Sequence, residues 1–386
     1  MSVTLDQAPI LRRRSAVRPA RAAVPGDAGR ILIISDAWQP QVNGVVRTYE
    51  NICHALEAQG CTVRVIGPAD FRAVALPSYP EIPLALFPGR RLAALIESFA
   101  PDAVHIAVEG PLGWAARGWC LARGVPFSTA FHTNFPAYAA VRAPRGLRGG
   151  VEALTIAGLR HFHAPARFIY VATASLEEQL RGWGFANRFV RLSRGIDFTL
   201  FHPAMPDRRS PGARGTANGA GPVLLYVGRV APEKNIETFL ALRTPGQKVV
   251  VGDGPLLPAL RARHPEVIFH GTLRGRALAD AYRAADLFVF PSRTDTFGNV
   301  VIEALASGLP VAAYDVPGPR DIVAGDARLG AVDADLEAAV ARALIAPGTA
   351  QERHDLARAR FCWNKVAQVF RDHCAELRGP GAVPAG

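Results

Sequence analysis

Residues 291–314 read PSRTDTFGNVVIEALASGLPVAAY, and the rest of the chain is interpreted outward from this stretch. The pattern predicts the end of a buried strand, a polar loop with one glycine, a short helix and a second strand. If the helix begins near Asn299, Glu303 lies one turn along the same face, and Asp295 lies in the preceding loop. Both carboxylates then face the helix N-terminus, whose free N–H groups favour hydroxyl or phosphate oxygens. A helix cap and a surface charge are the alternative.

Two cations lie in an earlier loop of the same half of the chain. The strand VLLYV at 223–227 is followed by Gly228 and Arg229, and Lys234 stands where the next helix opens. Cations at the carboxyl end of a strand, beside a helix N-terminus, suit a diphosphate. The alternative is a solvated charged turn in which Glu233 neutralises Lys234.

The acidic residues of the opening stretch take their interpretation from these cations. With a diphosphate nearby, Glu303 is predicted to accept hydrogen bonds from a ribose diol. Asp295 is predicted to hold a sugar. The backbone amides that assist it belong to Gly298, Asn299 and Val300. The sequence therefore favours a nucleotide-sugar site over a structural pair of acids.

The N-terminal half opens on a similar strand, loop and helix. RILIISDAWQPQVNGVVRTYENICHALEAQG predicts a buried strand from Ile31 to Ile34, a loop with Gly44 and a helix up to Gly60. Gly44 either makes a tight turn or lets the backbone approach a ligand closely. His132 ends the strand PFSTAFHT, where a reacting group would sit in a parallel sheet, although a lone histidine is more often structural.

Strand-like segments alternate with helical patterns in both halves, which predicts an α/β chain with two Rossmann-like domains whose parallel sheets face each other across a cleft. PAMPDRRSPGARGTANGAGP separates the halves and is poor in large apolar residues. It predicts a linker and the strongest boundary in the chain.

Composition bounds the compartment and the partners. The 386 residues are enough for two domains with their own cores. Apolar runs are shorter than the roughly 20 residues that span a bilayer. Five scattered cysteines, without C-x-x-C spacing, predict reduced thiols in a cytoplasmic protein. The net charge of +11 implies an anionic partner: a nucleotide, a nucleic acid or a membrane surface.

A basic, partly amphipathic segment at 141–163 bears on the choice among these partners. Arginines alternate there with leucine, isoleucine and valine. Such a segment can lie on an anionic membrane. An ordinary surface helix that packs its apolar stripe on the sheet is the alternative, and it is slightly favoured.

Taken together, these motifs resemble the retaining glycosyltransferases of the GT-B fold, family four, over about residues 30–370. GRVAPEKN is similar to the family's donor-phosphate motif, GIDFTLFHP to its interdomain signature, and TDTFGNVVIEALASGLPV to its E-x7-E motif. WQPQVNGVVRT and FHTNFPAY resemble the branch that holds GDP-mannose-dependent α-mannosyltransferases and the glycolipid-forming sulfoquinovosyl- and glucuronosyltransferases. Asp295 departs from the family pattern, which usually has glutamate.

The resemblance implies a metal-independent mechanism and a role for each motif residue. The Gly44 backbone contacts the donor phosphate, His132 lies beside the transferred sugar, and cations neutralise the diphosphate. The predicted catalytic residues are Arg229, Lys234, His132 and Asp295. The predicted donor-binding residues are Gly44, Gly228, Arg229, Lys234, Asp295, Phe297, Gly298, Asn299, Val300 and Glu303. No metal site or cofactor is predicted.

Composition and the alternating pattern set the limits of the domains, and the resemblance implies their roles. We expect a disordered basic tail at 1–29, an acceptor-side domain at 30–202, a linker at 203–221, a nucleotide-sugar-binding domain at 222–355, a C-terminal helix at 356–378 that can cross back to the first domain, and a disordered tail at 379–386.

The predicted function is a retaining α-glycosyltransferase at the inner face of the cytoplasmic membrane. It would move a hexose, with mannose favoured, from a nucleoside-diphosphate sugar to a lipid or lipid-linked acceptor. A UDP-hexose or UDP-hexuronate:diacylglycerol glycosyltransferase is the first alternative, and a nucleotide-sugar epimerase is a second. A non-enzymatic basic protein that binds nucleic acid or membrane is the alternative of a different class. The dispersed arginines, without an aromatic-rich RNA motif, argue against nucleic acid as a partner.

Overall fold

The computed structural model describes residues 29–41, 43–76, 79–132, 136, 144–204, 221–295 and 297–378. Almost all of the predicted basic tail, most of the predicted linker and the whole predicted C-terminal tail lie outside these residues, as does most of FHTNFPAY. The described chain forms two α/β halves, each built on a six-stranded parallel sheet. The predicted fold class is therefore confirmed.

The first sheet has the strand order β2-β1-β5-β6-β7-β8. The first half contains the strands β1 (Arg30–Ile34), β2 (Thr62–Ile66), β3 (Ala73–Leu76), β4 (Tyr79–Ala85), β5 (Ala103–Ile106), β6 (Phe127–Ala130), β7 (Ile169–Val171) and β8 (Phe189–Arg191). The strands β3 and β4 form a separate antiparallel hairpin, which the sequence did not predict. The apolar run Ile31–Ile34 is buried because helices cover both faces of the sheet.

The helices of the first half are α1 (Gly44–Ala58), α2 (Gly89–Phe99), α3 (Pro111–Arg123), α4 (Arg148–His163) and α5 (Ala174–Gly182). Asn43 caps α1, since its side-chain oxygen accepts the backbone N–H groups of Val45 and Val46. In α4 the buried residues are confined to the last five positions. Leu154 in its first half is 76% exposed. On the other side of this half, Val151 and Ile156 are half-buried. Both interpretations of the segment, a surface helix and a helix that lies on a membrane, therefore stay predictions.

The second sheet has the order β11-β10-β9-β12-β13-β14. Its strands are β9 (Val223–Val227), β10 (Gln247–Val251), β11 (Ile268–Gly271), β12 (Leu287–Phe290), β13 (Val311–Tyr314) and β14 (Gly330–Asp333). The helices that follow are α6 (Ile236–Leu240), α7 (Leu257–Arg263), α8 (Gly275–Arg283), α9 (Asn299–Ala306), α10 (Pro319–Val323) and α11 (Leu336–Leu344). Each β–α unit returns the chain to the same edge, so all six strands end on one side of the sheet.

The end of the chain differs from its prediction. In place of one helix at 356–378 there are two, α12 (Ala350–Arg360) and α13 (Trp363–Ala375). The break occurs at Phe361, whose carbonyl accepts the backbone N–H of Ile196 in the segment that leaves the first half. The segment around Ile196, which leaves the first half, and the segment around Phe361, which returns to it, therefore meet at this break. Apolar residues of α13, including Phe370, are buried in the core of the first half.

The carboxyl ends of the two sheets face each other. Residues that follow β7 and β8 contact residues that follow β13 and β12: the backbone N–H of Ser175 donates to Asp321 at 3.1 Å, and Arg194 lies over the ring of Phe297. Ligands of parallel sheets bind at such ends. The sheets occupy residues 30–191 and 223–333. The limits of the two domains, 30–202 and 222–355, stay a prediction. None of the described helices is long and apolar enough to span a bilayer.

Candidate functional site

The loop after β12 carries the first predicted carboxylate to the mouth of the second sheet. Helix α9 begins at Asn299, where the sequence predicts it. Gly298 precedes the helix with a φ of 89°, and a Cβ atom there would meet the ring of Phe290 at 3.1 Å. Only glycine combines this backbone conformation with this close approach. The chain thereby turns from the end of β12 into the first turn of α9.

Lys234 and Asp295 are in direct contact, with Nζ 2.5 Å from Oδ1. The same two loops are joined again where Asn235 Nδ2 donates to the carbonyl of Pro291 at 3.2 Å. The other carboxylate oxygen of Asp295, Oδ2, is buried and has no hydrogen-bond partner among the described residues. A buried acceptor without a donor is costly, so this oxygen is suited to a hydroxyl of a bound ligand.

Arg229 lies in the loop that follows β9, the same loop that carries Lys234. Its carbonyl accepts the hydroxyl of Tyr226 at 2.7 Å, which fixes the backbone of the loop. Its side chain is exposed, so a ligand can reach the guanidinium. The structure thus places both predicted phosphate-binding cations, Arg229 and Lys234, in one loop at the carboxyl end of β9.

Glu303 is buried in the second half and receives contacts from two elements. The Tyr282 hydroxyl donates to Oε2 at 2.9 Å, and Arg47 Nη1 lies 3.9 Å from Oε1. Burial raises the pKa of Glu303 from 4.5 to about 7, although the hydrogen bond from Tyr282 and the charge of Arg47 oppose the shift. Glu303 therefore changes its charge near neutral pH.

Helices α1 and α9 approach each other end to end across the cleft. A Cβ atom on Gly44 would lie 3.4 Å from Nδ2 of Asn299, so a larger side chain at Gly44 would narrow the space between the helix ends. Arg47 stands one turn further along α1 and crosses to Glu303. Two helix N-termini and an arginine make this region electropositive, which favours a phosphate group.

His132, at the end of β6, is held through both ring nitrogens. Arg194 Nη2 lies 2.8 Å from Nδ1, and the Tyr49 hydroxyl lies 2.8 Å from Nε2. Burial, and secondarily the charge of Arg194, hold the pKa of His132 well below its ordinary 6.5. The imidazole is therefore neutral at physiological pH.

Sequence reasoning missed the partners of these residues. Arg47 follows Gly44 by one helical turn, a spacing that could have indicated it. Arg194 directly precedes GIDFTLFHP but belongs to no pattern that singles it out. A further buried pair, His163 and Glu109 with Nε2 and Oε1 3.0 Å apart, lies at the mouth of the first sheet. Within the described ranges no group of three or more His, Cys, Asp or Glu could hold a metal ion.

Comparison with known proteins places this architecture. Residues 42–200 match the family described as Glycosyltransferase Family 4, and residues 221–346 match the family described as Glycosyl transferases group 1. The chain is 34% identical over 377 residues to a GDP-mannose-dependent alpha-mannosyltransferase of Mycolicibacterium smegmatis, covering 91% of this chain and 96% of the relative.

The chain belongs to glycosyltransferase family 4. It is also 28% identical over 340 residues to the sulfoquinovosyl transferase SQD2 of Arabidopsis thaliana, covering 83% of this chain and 64% of that protein. Among solved structures, the fold is similar to sucrose-phosphate synthase from Thermosynechococcus elongatus, with a TM-score of 0.68, 22% identity, and coverage of 90% and 99% of the two chains. This family 4 enzyme therefore has the GT-B fold.

The predictions of enzyme class and family are thereby confirmed: the protein is a retaining glycosyltransferase that uses a nucleotide sugar. Family membership favours this enzyme over the non-enzymatic alternative. The roles of the individual site residues stay predictions. The structure brings Arg229, Lys234, Asp295 and Glu303 to one end of the second sheet, and it places His132 and Gly44 at the facing end of the first.

Proposed function

We propose that this glycosyltransferase moves a mannosyl residue from GDP-mannose to a lipid or lipid-linked acceptor, with retention of the anomeric configuration. The similarity to the Mycolicibacterium GDP-mannose-dependent alpha-mannosyltransferase carries the proposal, because it extends over 96% of that relative. The arrangement of charge in the cleft supports it, since cations, helix ends and one buried carboxylate suit a nucleoside diphosphate sugar.

In this proposal the diphosphate lies between the N-termini of α1 and α9. Arg229 and Lys234 stabilise the negative charge that develops on the departing nucleoside diphosphate. Lys234 exchanges its contact with Asp295, now 2.5 Å long, for a phosphate oxygen. The acceptor hydroxyl attacks on the face from which the diphosphate leaves, and a diphosphate oxygen takes its proton. No side chain is then required as a general base.

The carboxylates bind the neutral parts of the donor. Glu303 accepts hydrogen bonds from the ribose hydroxyls, with its charge supported by Tyr282 and Arg47. Asp295 offers its buried Oδ2, which has no hydrogen-bond partner among the described residues, to a hydroxyl of the transferred sugar. Asp295 and Glu303 act as acceptors that orient the donor, while the cations supply the catalytic stabilisation.

A lipid acceptor is supported by exposed apolar and basic side chains along residues 147–160, at the start of α4 and along its outer side. Leu147 and Leu154 are 62% and 76% exposed, and Arg148 and Arg160 lie exposed on the same segment. Apolar and cationic side chains together favour the surface of an anionic bilayer. We propose that α4 rests on the membrane and brings the acceptor to the first sheet.

The alternative is transfer from a UDP-hexose or UDP-hexuronate to diacylglycerol. It is supported by the similarity to the sulfoquinovosyl transferase of Arabidopsis thaliana. Asp295 bears on this choice, because it is one methylene shorter than the glutamate that the family pattern has, and it therefore changes the space beside the sugar.

The test is a matrix of donors and acceptors. GDP-mannose, UDP-glucose and UDP-glucuronate are each supplied with diacylglycerol, a glycolipid or polyprenyl phosphate, and nucleoside-diphosphate release and product mass are measured. We expect mannosylated lipid from GDP-mannose. Product from a UDP-sugar alone would replace the proposal by its alternative. Donor interconversion without transfer would indicate an epimerase, and no saturable use of any nucleotide sugar would refute the proposal.

A further inference from the structure

Arg194 follows β8 and is buried, with 6% of its surface exposed. Its guanidinium Nη1 donates to the carbonyls of Leu192 and Ser193 at 3.0 and 3.2 Å, and Nη2 donates to His132. No carboxylate lies within salt-bridge distance among the described residues. A buried cation held only by neutral groups is costly, which favours a role beyond packing.

The contact with His132 fixes the tautomer of that histidine. A guanidinium can only donate, so Nδ1 of His132 accepts through its lone pair. The proton of the neutral ring is then on Nε2, which donates to the Tyr49 hydroxyl at 2.8 Å. Arg194 therefore determines which ring nitrogen of His132 donates a hydrogen bond and which one accepts.

The same direction continues through three more buried groups. Because Tyr49 accepts from His132, its own hydroxyl proton donates to Nε2 of His105 at 2.6 Å. His105 then carries its proton on Nδ1 and donates to Ser128 Oγ at 2.9 Å. Burial lowers the pKa of His105 to about 3, so this ring also stays neutral. The chain of hydrogen bonds runs one way, from Arg194 to β6.

Arg194 also connects this chain to the opposite half. Its guanidinium carbon lies 5.8 Å from the ring centroid of Phe297, within the range of a cation–π contact. Phe297 belongs to the loop that carries Asp295. His132 is thus held on one side by the interior of the first sheet and on the other by an arginine that touches the donor-binding loop.

We propose that Arg194 is a positioning residue that fixes the tautomer and ring orientation of His132 beside the transferred sugar. The inference rests on the proposed function for the location of the sugar, but not for the state of the ring. Because Nδ1 and Nε2 both point into the protein, His132 acts as a shaped neutral surface and not as an acid or base. Arg194 therefore affects transfer more than donor binding.

The test uses Arg194→Met, which removes the donor and the charge, and Arg194→Lys, which keeps a cation. Arg191→Met is the matched control, since Arg191 is an exposed arginine three residues earlier and 63% of its side chain is accessible. The full-length protein is labelled with ¹⁵N-histidine, and the His132 signals are assigned by their loss in His132→Gln. Thermal unfolding confirms that each variant is folded.

In the wild type and in Arg191→Met we expect one His132 tautomer, protonated on Nε2 and unchanged between pH 6 and 8. In Arg194→Met we expect mixed tautomers. We also expect the His132 pKa to move up, because burial still lowers it but the added effect of the Arg194 charge is gone. Among the described residues, the titratable or charged groups that face His132 include Tyr49, His105, His163 and Arg194. Transfer by Arg194→Met should then fall further as the pH is lowered.

For turnover, we expect kcat of Arg194→Met to fall on the order of 100-fold, as for a misplaced group, with the KM for GDP-mannose nearly unchanged. Arg194→Lys should recover part of the loss. The double variant with His132→Gln should be no slower than the slower single variant. Unchanged His132 signals in Arg194→Met, or fully additive losses in the double variant, would overturn the proposal. Absence of turnover with GDP-mannose in the wild type would refute the proposed donor. The ¹⁵N signals of His132 would still test whether Arg194 fixes its tautomer.

Discussion

The second sheet ends in oppositely charged side chains that contact one another, whereas at the first sheet two neutral imidazoles are held in one hydrogen-bonded chain that begins at a buried arginine. At the second sheet Lys234 meets Asp295, and Glu303 lies within reach of Arg47. At the first sheet His132 and His105 are neutral and share the hydroxyl of Tyr49. The cations can bind and stabilise an anion, while the neutral hydrogen-bonded network fixes the orientation of the His132 ring. We infer that the second half supplies most of the contacts to the donor, assisted by the N-terminus of α1, and that the network around His132 sets the geometry of attack.

The comparison predicts its largest effect for the cations of the second half. Arg229→Ala and Lys234→Ala should each lower kcat/KM about 1000-fold, because each removes charge stabilisation from the leaving diphosphate. Steady-state kinetics with circular dichroism would measure activity and fold. Arg276→Ala is the matched control, since 90% of that side chain is exposed. Nearly full activity in both variants would show that the second half does not act through these cations.

Donor binding by the second half should depend on pH through Glu303, whereas the neutral histidines of the first half should not titrate in the same range. Its folded pKa of about 7 lies above its ordinary 4.5. The ionised form is the better acceptor for a ribose diol, so the KM for the donor should rise as the pH falls below about 7. Glu303→Gln should weaken donor binding about tenfold or more and remove this pH dependence. Donor KM measured from pH 5.5 to 8.5 tests this, and a flat wild-type profile would contradict it.

The same raised pKa has a consequence for stability. Between pH 4.5 and 7 the native state binds more protons than the unfolded state, so stability is present at low pH and is lost as the pH rises through about 7. Without ligand, the free energy of unfolding of Glu303→Gln, relative to that of the wild type, should therefore increase from pH 5 to pH 8. The increase should be on the order of 3 kcal/mol at most. Urea unfolding at the two pH values measures the difference. If the variant and the wild type differed in unfolding free energy by the same amount at both pH values, burial would not be the cause of the raised Glu303 pKa.

Asp295 tests how finely the second half is fitted to the sugar. Asp295→Glu restores the length of the family pattern and should change kcat/KM by about tenfold or less for GDP-mannose, as expected for one methylene in a site. The ratio of GDP-mannose to UDP-glucose use is the measurement. Asp295→Asn, which keeps the length and removes the charge, is the control. A larger loss in Asp295→Glu than in Asp295→Asn would show that length matters more than charge.

The smallest effect on turnover is expected at the surface of the first half. Leu154→Ser should weaken binding to anionic vesicles roughly tenfold, because an exposed leucine contributes about 1.5–3 kcal/mol when it is buried. Turnover of a short-chain, water-soluble acceptor should not change. Ile345→Ser is the control, since Ile345 is 82% exposed in the second half. Equal vesicle binding by both variants and the wild type would contradict a membrane role for α4.

The sequence predicted what depends on local pattern. Alternating apolar runs were sufficient for the two parallel sheets, and the loop glycine before Asn299 was sufficient for the start of α9. The break at Phe361 was missed because it depends on Ile196, far away in sequence. The contact of Arg47 with Glu303 and the contact of Arg194 with His132 were missed for the same reason. The partners in each pair lie far apart in sequence, and the spacing of apolar residues along the chain gives no information about such contacts.

The central claim is that the second half binds the donor and the first half shapes the transfer. Titration calorimetry of GDP with the wild type, Arg229→Ala and Arg194→Met tests it most directly. We expect saturable binding of GDP by the wild type, a Kd raised about 100-fold or more in Arg229→Ala, and a Kd within about twofold of the wild type in Arg194→Met. Equal weakening in both variants, or no saturable binding of GDP by the wild type, would contradict the account.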